Sequence, residues 1–324
     1  MTSRILQPTE EHLEHAARRL REGGLVGMPT ETVYGLAADA SSATAVASVF
    51  TTKNRPNDNP LIVHVSDAEQ LKPLVSEWSG TVERVVDRFW PGPLTLVLPC
   101  TEVIGSHVNA GHPTVAVRAP LHAVARRLIE AVGRPLVAPS ANRSGHVSPT
   151  TAAHVVGEFP DSSFPVLDGG PSAHGIESTV LSLARDVPVV LRPGAVTLNQ
   201  LREELDRVEC PVIGEQVAAP GTSPRHYAPE TPATLVRTDE LDQVLSESTV
   251  PAVVLAFGAR EAWGEHAVVE MPEDPEGYAH ALYDSLRRAD ALERRVILVE
   301  RPPLQGGLWR AINDRLRRAC VERV

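Results

Sequence analysis

Segments of helical periodicity alternate with short apolar runs along almost the whole chain, and this alternation limits the possible folds most strongly. Apolar residues recur at helical spacing over 13–20, and the run 25–28 then predicts a short buried strand. A second helical segment over 43–50 precedes a second apolar run over 61–65. Helices that alternate with strands in this way predict an α/β fold, in which helices cover the faces of a sheet.

The rest of the pattern predicts that this sheet is twisted and mixed. After residue 160, apolar runs follow one another without helical segments between them, so we expect antiparallel as well as parallel neighbours. Strands are expected at 94–98, 115–118, 136–138, 166–167, 179–183, 187–191, 253–256 and 296–299, and helices at about 82–89, 121–132, 150–157, 197–205, 276–292 and 307–320.

The length of the chain predicts two domains. Its 324 residues exceed the ~250–300 residues beyond which a single hydrophobic core stops growing. We expect a larger α/β domain over 1–210 and a smaller C-terminal domain of βαβα (Rossmann-like) pattern over 233–324. The segment 211–232 between them is rich in proline and has no period, which predicts an ordered linker rather than a flexible one.

The composition excludes several classes of protein. The formal net charge is −10, whereas a chain that binds nucleic acid tightly usually has a basic surface, so any contact with tRNA is expected to be weak or indirect. Cys100, Cys210 and Cys320 lie far apart without CxxC spacing, which argues against a zinc ribbon and a disulfide framework. The N-terminus is polar, and no apolar run approaches the ~18 residues of a membrane span. We therefore expect a soluble cytoplasmic protein.

Two polar clusters follow predicted elements in the first third of the chain. The stretch 29–36 places small hydroxyls beside a glycine at a strand end, where they can line a ligand crevice, although a capped turn fits the pattern as well. Lys53 and Arg55 lie in a stretch braced by prolines and are suited to bind phosphates, although a solvated basic loop is the alternative. His64, on the strand that follows, could face the crevice or be a structural histidine.

Two more clusters lie further along the chain. Ser140 and Asn142 follow a strand, and Ser148 precedes a helix whose N-terminal amides favour an anion, although a simple helix cap is the alternative. No GxSxG sequence surrounds Ser140, which argues against a serine hydrolase. Arg118 ends an apolar strand and needs an anionic partner, which can be a bound carboxylate or phosphate or equally an internal acid. Thr114, Ser178, Thr179 and Arg192 also lie at strand ends.

No metal or common nucleotide motif accompanies these clusters. The histidines at 107, 112 and 122 lack the spacing of metal ligands, so we expect no metal held by protein side chains. The sequence contains neither a Walker A motif nor a GxGxxG that follows a strand. The residues by themselves therefore predict an anion-binding crevice and do not identify its ligand.

Seven motifs, taken in order, resemble the YrdC-like threonylcarbamoyl-AMP synthase family. They are PTETVYGL, KNRPNDNPLIVH, WPGPLTLVLP, PTVAVRAP, APSANRSG, GIESTV and LRPG, and the match runs over roughly residues 10–205. The linker APGTSPRHYAP and the later motifs LYDSLRRAD and AINDRLRRA resemble the long, two-domain form of that family. The resemblance therefore covers nearly the whole chain and implies a YrdC-like catalytic domain over 1–210.

The resemblance also implies site residues and a reaction. The family's KxR and SxN signatures stand here as Lys53/Arg55, the expected catalytic pair, and Ser140/Asn142. The implied ATP contacts are Arg55, Asn59, Thr114, Ser140, Asn142, Ser148, Arg192 and, closing from the linker, Tyr227. The implied threonine contacts are Thr32, His64, Arg118, Ala138 and Ser178. The implied reaction joins L-threonine, bicarbonate and ATP into threonylcarbamoyl-AMP and pyrophosphate, with Mg2+ accompanying ATP.

By the same resemblance, the product would pass to a tRNA threonylcarbamoyl transferase that completes threonylcarbamoyladenosine. Two other functions compete with this one. An RNA-binding module that shares the fold is disfavoured by the acidic charge. Carbamoyl transfer in hydrogenase maturation is disfavoured because the chain lacks Cys-rich zinc motifs.

Overall fold

A computed structural model describes residues 4–210, 226–258, 263–304 and 306–322. Strands and helices alternate through most of them. The strands are β1 (Ile5–Leu6), β2 (Val26–Met28), β3 (Gly35–Asp39), β4 (Ile62–His64), β5 (Leu94–Pro99), β6 (Thr114–Arg118), β7 (Leu136–Val137), β8 (Val166–Leu167), β9 (Thr179–Ser182), β10 (Val189–Arg192), β11 (Ala233–Val236), β12 (Val253–Phe257), β13 (Ala267–Met271), β14 (Ile297–Glu300) and β15 (Val321–Glu322). The α-helices are α1 (Glu10–Arg21), α2 (Ala43–Lys53), α3 (Ala68–Leu71), α4 (Gly80–Phe89), α5 (Ser106–Asn109), α6 (Ala123–Val132), α7 (Ala152–Glu158), α8 (Leu198–Glu204), α9 (Leu241–Glu247), α10 (Pro275–Ala291) and α11 (Trp309–Ala319).

The first sheet contains ten strands and is mixed, as the sequence predicts. Its order is β1-β8-β2-β3-β7-β4-β6-β5-β9-β10. Strand β4 runs parallel to β6 and antiparallel to β7, and β5 runs antiparallel to β6 and parallel to β9. The register places His64 opposite Arg118. Two side chains that are far apart in sequence therefore meet at one edge of the sheet.

Helices cover the faces of this sheet because each presents one apolar side. Helix α1 begins at the N-cap Thr9, whose side chain accepts a hydrogen bond from the His12 amide. Its buried residues, Leu13 to Leu20, pack with the apolar face of α6 over the strands β2 and β3. Burial of such a stripe, rather than helix propensity alone, stabilises a helix of this length.

The second sheet is entirely parallel and has the order β13-β12-β14-β11-β15. Both of its faces are covered: α10 and α11 pack on one apolar core, and α9 contributes to another. The sequence pattern predicts β12, β14, α10 and α11. It misses β11, β13, β15 and α9, as it misses β1, β3, α3 and α5 in the first part of the chain.

The two sheets are joined through an apolar contact. The core around α10 and α11 includes Val33, Val147 and Ile176, which come from the loops beside the first sheet. Gly175 has φ +73° and packs on the backbone of His280, so close that a Cβ there would lie 2.5 Å from Ala279 O. The boundaries 1–210, 211–232 and 233–324 stay a prediction, because 211–225 falls outside the described residues.

Within the described ranges, the helices are too short or too polar to cross a lipid bilayer.

Candidate active site

A cavity lies where the ends of β4, β6, β7 and β10 meet the loops that follow β2 and precede β9. The strand ends and the loops together bring hydroxyls, guanidinium groups and one carboxylate to the same space. The lining residues are Thr30, Thr32, Val33, Gly35, Arg55, Pro60, Leu61, Ile62, His64, Arg118, Ala138, Pro139, Ser140, Glu177, Ser178, Arg192, His226 and Tyr227.

Arg118 forms a buried ion pair at one end of the cavity. Its Nη2 lies 2.5 Å from Glu31 Oε1, its Nη1 donates to the Thr32 hydroxyl at 2.7 Å, and its Nε donates to Gly92 O at 3.1 Å. Burial would raise the pKa of Glu31, but the charge of Arg118 outweighs it and lowers that pKa. Among the described contacts, Arg118 uses three of its five N–H donors, so two remain for a carboxylate ligand.

His64 lies beside Arg118 and is neutral. Its Nδ1 is 3.2 Å from the carbonyl oxygen of Ile62, which favours a proton on Nδ1 and leaves the Nε2 lone pair available. Burial, helped by the positive charge of Arg118, lowers the pKa of His64 to about 3. His64 can therefore accept a hydrogen bond, but it is too weakly basic to take a proton near neutral pH.

The pKa of His64 predicts a pH effect on stability. The folded pKa is about 3 and the unfolded value 6.5, so stability is complete above pH 6.5 and falls as the pH approaches 3. Between these two pKa values, one such histidine contributes ~1.4 kcal/mol per pH unit to the slope of unfolding free energy against pH. His64→Gln should reduce the slope of unfolding free energy against pH by about one proton, measured by urea denaturation between pH 7 and pH 4. His15→Gln, at an exposed site on α1, is the control; equal slopes in all three proteins would contradict the burial argument.

Two guanidinium groups face the other end of the cavity. Arg55 donates to the carbonyls of Asn59 and Pro60, and within the described residues it forms no ion pair with a carboxylate. Burial lowers the pKa of Arg55 to about 10, and the nearby charge of Arg192 adds to that effect. Arg192 is buried and donates to the Ser178 carbonyl and hydroxyl. Two like charges held close together in a cavity favour a polyanionic ligand.

A close backbone contact in the turn after β10 fixes the position of Arg192 in the cavity. Gly194, in the turn after β10, packs directly on residues 177–179, and a Cβ there would lie 2.3 Å from the Thr179 amide nitrogen. Only glycine allows this approach. The turn therefore places the Arg192 guanidinium on Ser178, whose hydroxyl lies 2.8 Å from the Thr95 hydroxyl.

Lys53 contacts the backbone of the loop that carries Ser140. Its Nζ is buried and donates to the backbone carbonyls of Ser140, at 2.5 Å, and Asn142, and Lys53 is absent from the described lining. Burial lowers the pKa of Lys53 well below its usual value, with the charge of Arg55 adding to it. In this structure Lys53 holds the loop that carries Ser140 against the cavity, and its predicted role toward phosphate stays a prediction.

The structure brings together most of the predicted site residues. Nine of them line the cavity: Thr32, Arg55, His64, Arg118, Ala138, Ser140, Ser178, Arg192 and Tyr227. Five lie outside the described lining: Lys53, Asn59, Thr114, Asn142 and Ser148. Thr114 begins the strand that Arg118 ends, and the Asn142 amide donates to Arg143 O and His146 O. For all fourteen residues, the contacts with ligands stay predictions.

Sequence reasoning assigned no role to Glu31, Glu177 and His226, which surround the same cavity. Glu177 follows Ile176 and precedes β9, so its carboxylate needs a buried partner, the argument already applied to Arg118. That signal was present in the motif GIESTV. His226 is buried, and burial lowers its pKa to about 3. Its amide donates to Arg318 O, which joins the linker to the second domain.

Protein groups at this site do not suit a metal ion. The described residues contain no cluster of three or more His, Cys, Asp or Glu that could hold one. The acidic residue in the described lining, Glu177, already accepts three hydrogen bonds from protein groups.

Comparisons with known proteins identify the family. The Sua5/YciO/YrdC family model, described as Telomere recombination, matches residues 18–194, and the model of the threonylcarbamoyl-AMP synthase C-terminal domain matches residues 196–320. A threonylcarbamoyl-AMP synthase of Pyrococcus abyssi is 41% identical over 323 residues, covering 95% of this chain and 94% of that protein. The chain belongs to the threonylcarbamoyl-AMP synthase family.

Further relatives agree with this membership of the threonylcarbamoyl-AMP synthase family. A threonylcarbamoyl-AMP synthase of Bacillus subtilis is 37% identical over 342 residues, covering 98% of this chain and 96% of that protein. Among solved structures, Pyrococcus abyssi Sua5 complexed with L-threonine superposes with a TM-score of 0.92 at 37% identity, covering 99% of each chain. The predicted fold class, a YrdC-like domain followed by a smaller α/β domain, is thereby confirmed.

Proposed function

We propose that this cavity binds ATP beside L-threonine and that the protein is an L-threonylcarbamoyladenylate synthase. The observation that carries the proposal is similarity over the full chain to synthases of this name, together with a solved relative that binds L-threonine. The cavity supports it because it holds cations at both ends, as an amino-acid carboxylate and a triphosphate require.

Threonine fits at the Arg118 end. The two remaining N–H donors of Arg118 match the two oxygens of its carboxylate. The hydroxyls of Thr32 and Ser178 and the His64 Nε2 lone pair offer hydrogen bonds to the threonine hydroxyl and amine. Ala138 provides an apolar wall for the methyl group, and it packs so closely on β3 that a Cβ on Gly35 would lie 3.0 Å from it.

The triphosphate fits at the Arg55 end. Arg55 and Arg192 offset its charge, the Ser140 hydroxyl donates from the loop that Lys53 holds, and Tyr227 covers the nucleotide. Mg2+ is proposed as part of the Mg–ATP substrate, where it would neutralise phosphate charge. We assign the enzyme to the nucleotidyltransferases on this basis.

The reaction then proceeds by orientation and charge stabilisation. The neutral amine of threonine attacks bicarbonate carbon, water leaves, and an oxygen of the resulting carbamate attacks the α-phosphorus. The bond from the α-phosphorus to the β-phosphate oxygen breaks, and pyrophosphate leaves. Fixed orientation of two reactants can supply ~7–11 kcal/mol, and exclusion of water protects the labile carbamate and mixed anhydride. No side chain is assigned as general base, because His64 is too weakly basic.

The product is an activated acyl donor. We propose that a tRNA threonylcarbamoyl transferase consumes it, that contact with tRNA is weak or indirect, and that the reaction takes place in the cytoplasm. The net charge of −10 supports the second point.

Release of pyrophosphate tests the proposed function. The purified protein with Mg–ATP should release pyrophosphate only when both L-threonine and bicarbonate are present, because the carbamate that attacks ATP needs both. Single omissions are the controls, with L-serine as a near substrate that lacks the methyl group. Equal pyrophosphate release without threonine and bicarbonate would refute the proposal.

A further inference from the structure

A buried carboxylate lies between the cavity and the second domain. Glu177 lines the cavity, and its Oε1 accepts a hydrogen bond of 2.6 Å from the Ser148 hydroxyl. Its Oε2 accepts from the Tyr283 hydroxyl on α10 and from Arg315 Nε on α11, each at 2.9 Å. Two of its three donors therefore come from the second domain.

Arg315 is fully buried and connects three parts of the site. Beyond Glu177, its Nη1 donates to Pro193 O at 2.8 Å, next to Arg192 in sequence. Its guanidinium carbon lies 5.4 Å from the ring centroid of Tyr227, within the range of a cation–π contact. Its Nη2 has no hydrogen-bond acceptor among the described atoms, which fits a group that faces a ring.

Tyr283 also contacts Tyr227, the ring on which Arg315 packs. The rings of Tyr227 and Tyr283 stack with centroids 5.6 Å apart and planes 28° apart. Tyr227 has φ +62°, an uncommon conformation for a residue other than glycine, so its position depends on surrounding contacts. Both Tyr283 and Arg315 supply such contacts.

We propose that Arg315 and Tyr283 of the second domain are positioning residues for ATP binding. They act through Glu177 on the Ser148 hydroxyl and through ring contacts on Tyr227. The proposal rests on the proposed function, which assigns ATP to this end of the cavity. Neither residue belongs to the described lining, so neither is a catalytic residue.

The charge of Glu177 explains why its partner matters. Burial raises the pKa of Glu177, but Arg315 and then Arg192 outweigh it and bring that pKa to about 2, so the carboxylate is ionised. Without Arg315, the carboxylate would compete with the triphosphate for Arg192. Ser148 would also lose the fixed acceptor that orients its hydroxyl. Both effects weaken the binding of ATP and leave the threonine end of the cavity, around Arg118, unchanged.

Steady-state kinetics on the full chain test the proposal. Arg315→Met should raise the KM for ATP at least tenfold and leave the KM for threonine within twofold. Arg315→Lys should recover part of the loss, because it keeps the charge without the planar fork. Tyr283→Phe, which removes one hydroxyl, should raise the KM for ATP about threefold. Arg288→Met, at an exposed site on α10 outside the described lining, is the matched control.

A second substitution separates positioning from general damage. Adding Glu177→Gln to Arg315→Met removes the unpaired charge and should lower the KM for ATP relative to Arg315→Met alone. The proposal is overturned if Arg315→Met and Tyr283→Phe leave the KM for ATP within twofold of wild type, or if both KM values rise equally. Should Arg315→Met fail to fold, Tyr283→Phe decides. A wild-type protein without threonine-dependent pyrophosphate release would instead count against the proposed function.

Discussion

Replacing Arg118 by alanine is expected to raise the KM for threonine by on the order of 100-fold or more, because loss of one partner from a buried charged contact costs ~2–5 kcal/mol. The KM for ATP should stay within about threefold, because the proposed site of the triphosphate is the Arg55 end of the cavity. Initial rates of pyrophosphate release, with each substrate varied in turn, measure both values. Equal losses for the two substrates would remove the carboxylate assignment.

The control for this variant concerns stability. Arg118→Ala leaves the Glu31 carboxylate buried without its cation, which can cost ~3–5 kcal/mol of folding free energy. The double variant Glu31→Gln with Arg118→Ala removes both charges and should regain stability, while the KM for threonine stays high. Recovery of threonine binding in the double variant would show that Arg118 acts only through the fold.

Replacing Arg55 by methionine is expected to raise the KM for ATP by on the order of 100-fold, by the same loss of a desolvated charged contact. The ligand-free protein should unfold at the same temperature or a higher one, because Arg55 is a partly buried cation without an ion-pair partner among the described residues. A substitution that weakens ligand binding but stabilises the ligand-free protein is typical of a residue whose role is to bind the ligand.

Thermal unfolding with and without Mg–ATP measures both effects. Wild type should gain stability from saturating Mg–ATP, and Arg55→Met should gain little. Arg84→Met, at an exposed site on α4, is the matched control and should behave like wild type. A lower unfolding temperature for ligand-free Arg55→Met, with ATP stabilisation intact, would assign Arg55 to the fold instead.

Periodicity predicted most of the fold but missed eight of the strands and helices named above, and for three of these the reason is identifiable. Strand β3 has the sequence GLAAD, all buried, and lacks the β-branched residues that mark strands. Helix α9 is seven residues long, too short for a clear period. Strand β13 contains charged Glu270 at an exposed position on the edge of its sheet, which interrupts the apolar run.

The site was predicted only as far as local chemistry allows. The sequence identified Arg118 as a cation in need of an anion and left a ligand and an internal acid open; the structure supplies the acid, Glu31, 87 residues away. Lys53 and Arg55 looked alike in sequence and both donate to backbone carbonyls, yet only Arg55 belongs to the described lining of the cavity. No local pattern indicates which partner a charged side chain meets, because the sheet order decides it.

The carboxylate of Glu177 links two equilibria. One is the proposed binding of the nucleotide at the cavity, and the other is docking of helices α10 and α11 on Glu177. Thermodynamic reciprocity requires each to favour the other by the same factor. Saturation with Mg–ATP should therefore slow amide hydrogen exchange along α11 by the same factor by which docking of that helix strengthens nucleotide binding.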